Sequence, residues 1–187
     1  KTQSKSNKQS ASFDLIIDCR GNGASLKHSD EKAAPLKDLR AVRGELFQLF
    51  APQVNISRPV RLMHPRYQLY LVPKPNHHFV IGATQIESED RSPMSVQSML
   101  ELCSAMYSIN PAFSQARIIE QNTNLRPALN DNKAKVIVDK QQLSINGLFR
   151  HGFLIAPAII DSVINWLEGK DNPHQQHLFS FSESLNA

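Results

Sequence analysis

With 187 residues, 41% of them hydrophobic and 20% charged, and a formal net charge of +4, the chain has the make-up of one globular domain, or of one and a half small ones. Its apolar runs fall short of the roughly 18–20 residues that span a bilayer, so no membrane partner is expected. Part of the positive charge sits in the opening KTQSKSNKQS, where no aromatic residue interleaves with the lysines. This reads as a solvated tail, and no nucleic-acid partner is expected.

No charged segment followed by an apolar run and a cleavage site opens the sequence, so nothing suggests secretion. Cys19 and Cys103 lie far apart in dissimilar settings and read as two separate thiols of a cytoplasmic protein. The chain opens on Lys1 without a methionine and enters a strand almost at once, as a fragment or processed piece would.

Residues 13–24, FDLIIDCRGNGA, are a short β-branched run closed by Asp and then Gly-x-Gly, the manner in which a buried parallel strand stops at a turn. The charged, irregular stretch 25–38 is an exposed loop and the best boundary. AVRGELFQLFA, RPVRLMH, YQLYLVP and HHFVIGATQIE follow as strands bounded by Pro, Asn or His-rich turns, which predicts an antiparallel sheet with PKPNHH as a hairpin connection. Residues 92–107 read as a helix with Ser92 as cap and an apolar stripe of Val96, Met99, Leu100, Cys103, Met106 and Tyr107. ARIIEQNTNLRPAL, 116–129, is a strand running into an extended Arg-Pro step. KVIVDKQQLSINGLF supplies two more short strands. IAPAIIDSVINWLEG is a helix with Ile160, Val163, Ile164 and Leu167 on one side and Gly169 as its stop. The remaining tail is polar and reads as loosely held.

Familiar chemistries find little support. His77 and His78 are neighbours on an extended segment and point to opposite faces, and His174 and His177 sit in the tail without a Cys or Asp cluster, so no metal site is expected. No Gly-x-Ser-x-Gly elbow is present, and the acidic ESED, 87–90, reads as a solvated turn. Three positions stand out. Tyr70 shares a strand face with Gln68 and Val72. Arg126 ends a strand in NLRPAL, where a buried guanidinium without an anion would be costly. Arg150 stands in GLFRHGFLIAPA, between a glycine and an oily helix. Taken singly, each has a plain alternative: strand packing for Tyr70 and surface charges for the two arginines.

Together, RPVRLMHPRYQLYLVPKP, HHFVIGATQIESEDRSP, NLRPAL and GLFRHGFLIAPA, in this order, resemble the C-terminal half of the FAD-dependent D-amino-acid oxidase family, and most closely its bacterial glycine oxidase branch serving thiamine biosynthesis. The resemblance runs from about residue 13 to 170. It implies an α+β or α/β chain: an antiparallel-rich mixed-sheet substrate domain inserted into an incomplete FAD-binding Rossmann-like domain. The implied order is a tail and late strand of the FAD domain over 1–24, an exposed linker over 25–40, the β-rich substrate domain over 41–124, the C-terminal part of the FAD domain over 125–170, and a polar tail over 171–187.

By the same resemblance Arg126 clamps the substrate carboxylate, Tyr70 hydrogen-bonds it, and Arg150 stands close to substrate and flavin. His151, Gly152, Phe153 and Leu154 then contact the flavin together with Arg150. A planar guanidinium suits a carboxylate because two parallel hydrogen bonds form at once. The implied reaction is oxidation of glycine or another small amino acid or amine to the imine, with hydrogen peroxide released and the product feeding thiazole formation. No acid–base residue is needed, since a neutral amine gives hydride directly. The family's Gly-x-Gly-x-x-Gly, which lets a helix start approach the pyrophosphate, is absent from these residues. The chain alone is therefore expected to be inactive and to need an N-terminal FAD-binding half as partner, with homo-oligomers common among relatives. The alternative is a non-catalytic remnant that binds a small carboxylate or a partner protein.

Overall fold

The computed structural model describes residues 13–27, 36, 38–63 and 68–181. The chain forms two compact units, Arg40–Ala128 and, separately, Lys1–Leu39 with Leu129–Ala187.

The central unit is a five-stranded sheet built from β2 (Arg40–Phe50), β3 (Val60–Met63), β4 (Gln68–Lys74), β5 (His78–Gly82) and β6 (Arg117–Ala128), in the order β3-β4-β5-β2-β6. Every neighbouring pair is antiparallel. Asn76 and His77 both take positive φ, near 59°, the signature of the primed turn whose twist matches a β-hairpin. This explains why PKPNHH connects β4 to β5 so tightly. β6 runs through Pro127 to Ala128, so Arg126 belongs to the sheet.

One face of this sheet is oily. Phe47, Leu49, Leu69, Leu71, Phe79 and Ile81 are buried against Leu102, Ala105 and Met106 of α1 (Val96–Ile109) and against Phe113 in the 3-10 turn after it. Each fully buried side chain of this size contributes about 1.5–3 kcal/mol.

Two expectations for α1 change. Its cap is Ser95, whose hydroxyl accepts from the Ser98 amide at 3.0 Å, whereas Ser92 donates to the Asp90 carboxylate at 2.6 Å. The buried face is Ser98, Leu102, Ala105 and Met106, while Val96, Leu100 and Tyr107 are exposed. The helix carries apolar residues on more than one side, and the polar anchor at Ser98 selects which side meets the sheet. Cys103 packs at the edge of this core. Among the ESED residues, Glu87 pairs with Arg40 at 2.6 Å and Asp90 with Arg43 at 2.9 Å.

The second unit carries a mixed four-stranded sheet in the order β1-β8-β7-β9, from β1 (Ile16–Asp18), β7 (Lys135–Asp139), β8 (Gln142–Asn146) and β9 (Phe179–Phe181). β1 is parallel to β8, β7 and β8 form an antiparallel hairpin, and β9 joins β7 in parallel. α2 (Gly152–Leu167) packs on this sheet through Ile159 and Val163, which meet Val136, Val138, Leu143 and Phe179.

The parallel direction of β1 matches the expectation, but its burial does not: Ile16 and Ile17 are both exposed, because β1 is an edge strand with only one neighbour. Helix α2 begins at Gly152, earlier than the sequence pattern indicates, and its core stripe is Ile159 and Val163 with Ile155 and Trp166 beside them. Ile160, Ile164 and Leu167 are exposed. Gly169 stops the helix as expected. At φ 66°, its amide donates to the Trp166 carbonyl and that of Lys170 to the Asn165 carbonyl, the paired closure that a left-handed residue permits.

The segment after α2 is tied down rather than loose. Asn172 is buried and donates to the Ser162 carbonyl at 2.9 Å. A short α3 (Gln175–Leu178) leads into β9, whose Phe179 lies against Trp166 with ring centroids 5.7 Å apart.

Candidate substrate and cofactor site

Tyr70 and Arg126 lie on the same face of the five-stranded sheet. Tyr70 stands opposite Gly82 on β5, Gly82 opposite Leu46 on β2, and Arg126 opposite Val42 on β2. Directly opposed residues share a face, and so do alternate residues along a strand. The face therefore carries Tyr70, Gly82, Val42, Gly44, Leu46 and Arg126, and it is turned away from α1.

Arg126 is half-buried and lies flat on this floor. Its Nη1 donates to the Thr84 carbonyl at 3.1 Å and to the Arg43 carbonyl at 3.4 Å. The guanidinium rests above Gly44, where a Cβ would overlap it. From Gly44 the Tyr70 backbone is about 7 Å along the strands and about 10 Å across them, by strand rise and spacing. A tyrosine side chain and a small carboxylate together cover that span. Tyr70 is half-buried, and Arg61 of the neighbouring strand stacks on its ring, with the guanidinium carbon 5.3 Å from the centroid. A cation over the ring face is attracted by the ring quadrupole. Two guanidinium groups on one face make it favourable to anions.

The opposite face holds a buried ionic cluster to which sequence reasoning assigned no role. Arg43 and Glu45, two residues apart and so on one side of β2, meet through Nε–Oε1 at 3.0 Å and Nη2–Oε1 at 2.7 Å. Arg43 also donates to the carbonyls of Asp90 and Pro93. Thr84 donates to Glu45 Oε2 at 3.0 Å and accepts from the Glu45 amide at 2.9 Å. Burial alone would raise the Glu45 pKa. Hydrogen bonds from Ser98, Arg43 and Thr84, together with the Arg43 charge, outweigh that and hold it below the ordinary carboxylate value. The sequence signal was an Arg-x-Glu pair in the middle of a largely apolar strand.

In the second unit, Arg150 is half-buried in the turn between β8 and α2. Gly147 at φ 75° and Phe149 at φ 47° reverse the chain there, and a Cβ on Gly147 would meet Leu129 Cδ1 at 2.8 Å. His151 is the N-cap of α2 and makes no side-chain cap bond, while its carbonyl accepts from the Leu154 and Ile155 amides, both at 2.9 Å. Phe153 and Leu154 are strongly exposed. Tyr70 and Arg126 are thus brought onto one face of one unit, and Arg150 with residues 151–154 belongs to the other. Among the described residues no group of His, Cys, Asp and Glu is arranged to hold a metal ion, and no helix is long and apolar enough to cross a membrane.

Comparison with known proteins settles the family, since the model of the FAD dependent oxidoreductases, DAO, matches residues 2–164. The chain belongs to this family. It is 42% identical over 150 residues to a Rhizobium etli protein named as a candidate thiamine biosynthesis oxidoreductase, ThiO, a match covering 80% of this chain and 43% of that protein. Iminodiacetate oxidase from Chelativorans sp. BNC1 superposes with a TM-score of 0.77 at 21% identity, over 92% of this chain and 48% of that one. Glycine oxidase from Bacillus cereus superposes with a TM-score of 0.69 at 20% identity, over 85% and 44%. At these identities the likeness to the solved structures is one of fold, and it agrees with the expected α+β or α/β chain carrying an antiparallel-rich sheet. The chain spans less than half the length of each of these relatives.

The residues expected to contact the FAD of this family, Arg150 to Leu154, lie at the start of α2. An uncapped helix start presents N–H groups and the positive end of the helix dipole, with Arg150 two residues before Gly152. The glycine loop that would take the pyrophosphate is absent from these residues. Ile159 is buried and packs into the core beneath α2.

Proposed function

We propose that this chain is the substrate-binding and C-terminal cofactor-contacting portion of an FAD-dependent oxidase that converts glycine, or another small amino acid or amine, to the imine, in a cytoplasmic pathway feeding thiazole formation for thiamine. The observation that carries this reading is Arg126, fixed by two backbone carbonyls above a glycine on the face it shares with Tyr70. Arg126 takes the carboxylate through its planar fork of donors, and Tyr70 adds a hydrogen bond and a wall. Charge-assisted bonds of this kind contribute roughly 1.5–3 kcal/mol each. Arg150 and the start of α2 supply positive potential for the negative charge that a reduced flavin carries. FAD, held on this side by Arg150 and residues 151–154, would supply the two-electron oxidation of the amine, with dioxygen as the final acceptor and hydrogen peroxide as its product. The ThiO name of the Rhizobium etli relative and the free thiols Cys19 and Cys103 support the pathway and the compartment.

The partner of this portion is an N-terminal FAD-binding half. Ile16 and Ile17 on the open edge strand, and Phe153, Ile160, Ile164 and Leu167 along α2, are exposed apolar side chains. A helix that is apolar on two sides and a parallel edge strand exposed on both faces are surfaces built to be covered.

The test is to produce a polypeptide joining this chain to such a half, and to assay colour and peroxide. A yellow protein that releases peroxide from glycine supports the proposal. A colourless, inactive one favours a remnant that binds a carboxylate or a partner protein.

A further inference from the structure

We propose that Gly44 is a positioning residue for carboxylate recognition: its missing Cβ opens the space in which the Arg126 guanidinium lies, and the carbonyls of Arg43 and Thr84 then hold it in one orientation. This rests on the reading of Arg126 as the carboxylate clamp and adds the device that presets it.

A glycine inside a strand weakens it, because it loses more chain entropy on folding and packs no side chain. Gly44 sits in the middle of β2, the strand that pairs with both β5 and β6. Its backbone does not require glycine, since the positive-φ glycines are Gly21, Gly147 and Gly169. The reason is steric. A Cβ at 44 would overlap Nη1, Cζ and Nη2 of Arg126, and those are its three nearest atoms. The site is kept open for a guanidinium.

Arginine is a long side chain with much rotamer freedom, and a ligand that must first order it loses affinity. Here that ordering is built in. The two carbonyls that hold Nη1 are themselves fixed. Thr84 is tied to Glu45 by its amide, which donates to the Glu45 carbonyl at 3.1 Å, and by its hydroxyl, which donates to Glu45 Oε2 at 3.0 Å. The Arg43 carbonyl accepts from the Ile86 amide at 3.0 Å, and the Arg43 amide donates to the Ile86 carbonyl at 2.8 Å. Glu45 thus anchors Thr84 from the far face, and backbone pairing with Ile86 holds the Arg43 carbonyl, so both acceptors that orient Arg126 are fixed.

The atoms nearest to a methyl group at 44 are the far end of a flexible side chain, so the guanidinium can swing aside without unfolding the sheet. Gly44→Ala is therefore expected to keep its fold and lose its ligand. The probe is glycolate, a small carboxylate without an amine, titrated calorimetrically into the full natural polypeptide that carries this sequence, with melting temperature read in parallel. We expect Gly44→Ala to weaken glycolate binding at least about tenfold with a near-native melting temperature, and Arg126→Ala to weaken it as much or more. If Gly44→Ala binds within twofold of the parent while Arg126→Ala has lost binding, the positioning role is overturned and the clamp stands. If Arg126→Ala binds like the parent, the clamp and the positioning role fall together. Should Gly44→Ala fail to fold, Gly44→Ala/Arg126→Ala decides. Recovery of folding marks the guanidinium as the obstacle and supports the proposal, whereas an unfolded double variant shows that the backbone needs Gly44 and overturns it.

Discussion

Arg43 and Glu45 face each other from the same side of one strand, with Nη2 and Oε1 2.7 Å apart and side chains only 5% and 0% exposed. A buried pair of this kind is close to neutral relative to a well-packed apolar pair, but removing one partner strands the other charge. Glu45→Ala is expected to destabilise the chain by about 3–5 kcal/mol in chemical denaturation at neutral pH. Replacing both residues together by apolar side chains of similar volume should cost far less. A Glu45→Ala loss below about 1 kcal/mol would show that the pair is not desolvated as described.

The same carboxylate sets a pH dependence. Its folded-state pKa lies below the ordinary value, so the unfolded chain binds the proton first as the pH falls. Its contribution is complete above the unfolded glutamate value of about 4.3 and is lost as the pH drops through the lower folded value. Asp90, held low mainly by hydrogen bonds from Ser92, acts in the same direction. Denaturation midpoints measured from pH 7 downward should show a shallower acid slope in Glu45→Gln than in the parent. An identical slope would place the acid sensitivity elsewhere.

For the proposed oxidase, Arg126→Ala removes one side of a charge pair with the substrate carboxylate. Losing such a partner costs about 2–5 kcal/mol, and we expect it in kcat/KM for glycine, chiefly through KM. Steady-state kinetics of the FAD-loaded enzyme measure it. Kinetics equal to the parent's would remove Arg126 from the substrate pocket.

Helix α2 offers a test of which face is core. Ile159 is buried and its neighbour Ile160 is exposed. Ile159→Ala should cost about 2–5 kcal/mol, as core truncations do. Ile160→Ser in this chain should stay within about 0.5 kcal/mol. Thermal melts of the two single variants decide, and equal losses would contradict the observed rotation of the helix.

Gly169 closes the same helix in the left-handed region, at φ 66° with no atom near a would-be Cβ. Gly169→Ala is expected to cost about 1–2 kcal/mol through backbone strain alone, visible as a lowered melting temperature. A neutral result would mean that the closure rearranges at no cost.

Much of the fold was legible in the sequence because it rests on local signals. Alternating apolar residues marked β2, β4 and β5, the Asn–His pair of PKPNHH marked the tight turn, and Gly169 marked the end of α2. Short-range patterning misled where a helix is apolar on more than one side. In α1 the run Val96, Leu100 and Tyr107 and in α2 the run Ile160, Ile164 and Leu167 have helical spacing, yet these residues are exposed. Periodicity reports that a stripe exists, not which of two stripes meets the sheet. The tail was misread for a related reason: Phe179 becomes buried only because β7 offers it an open edge.

The sequence by itself determined the element types and order as far as α2, the family, and the identity of Tyr70, Arg126 and Arg150 as candidates, since motifs and periodicities are properties of neighbours along the chain. Only the tertiary structure decided that Tyr70 and Arg126 share a sheet face, that Gly44 makes room for a guanidinium eighty-two positions away in the sequence, and that Arg43 and Glu45 pair on the opposite face. Strand register creates those relationships, and register is fixed by the packing of the whole sheet rather than by any one of its strands.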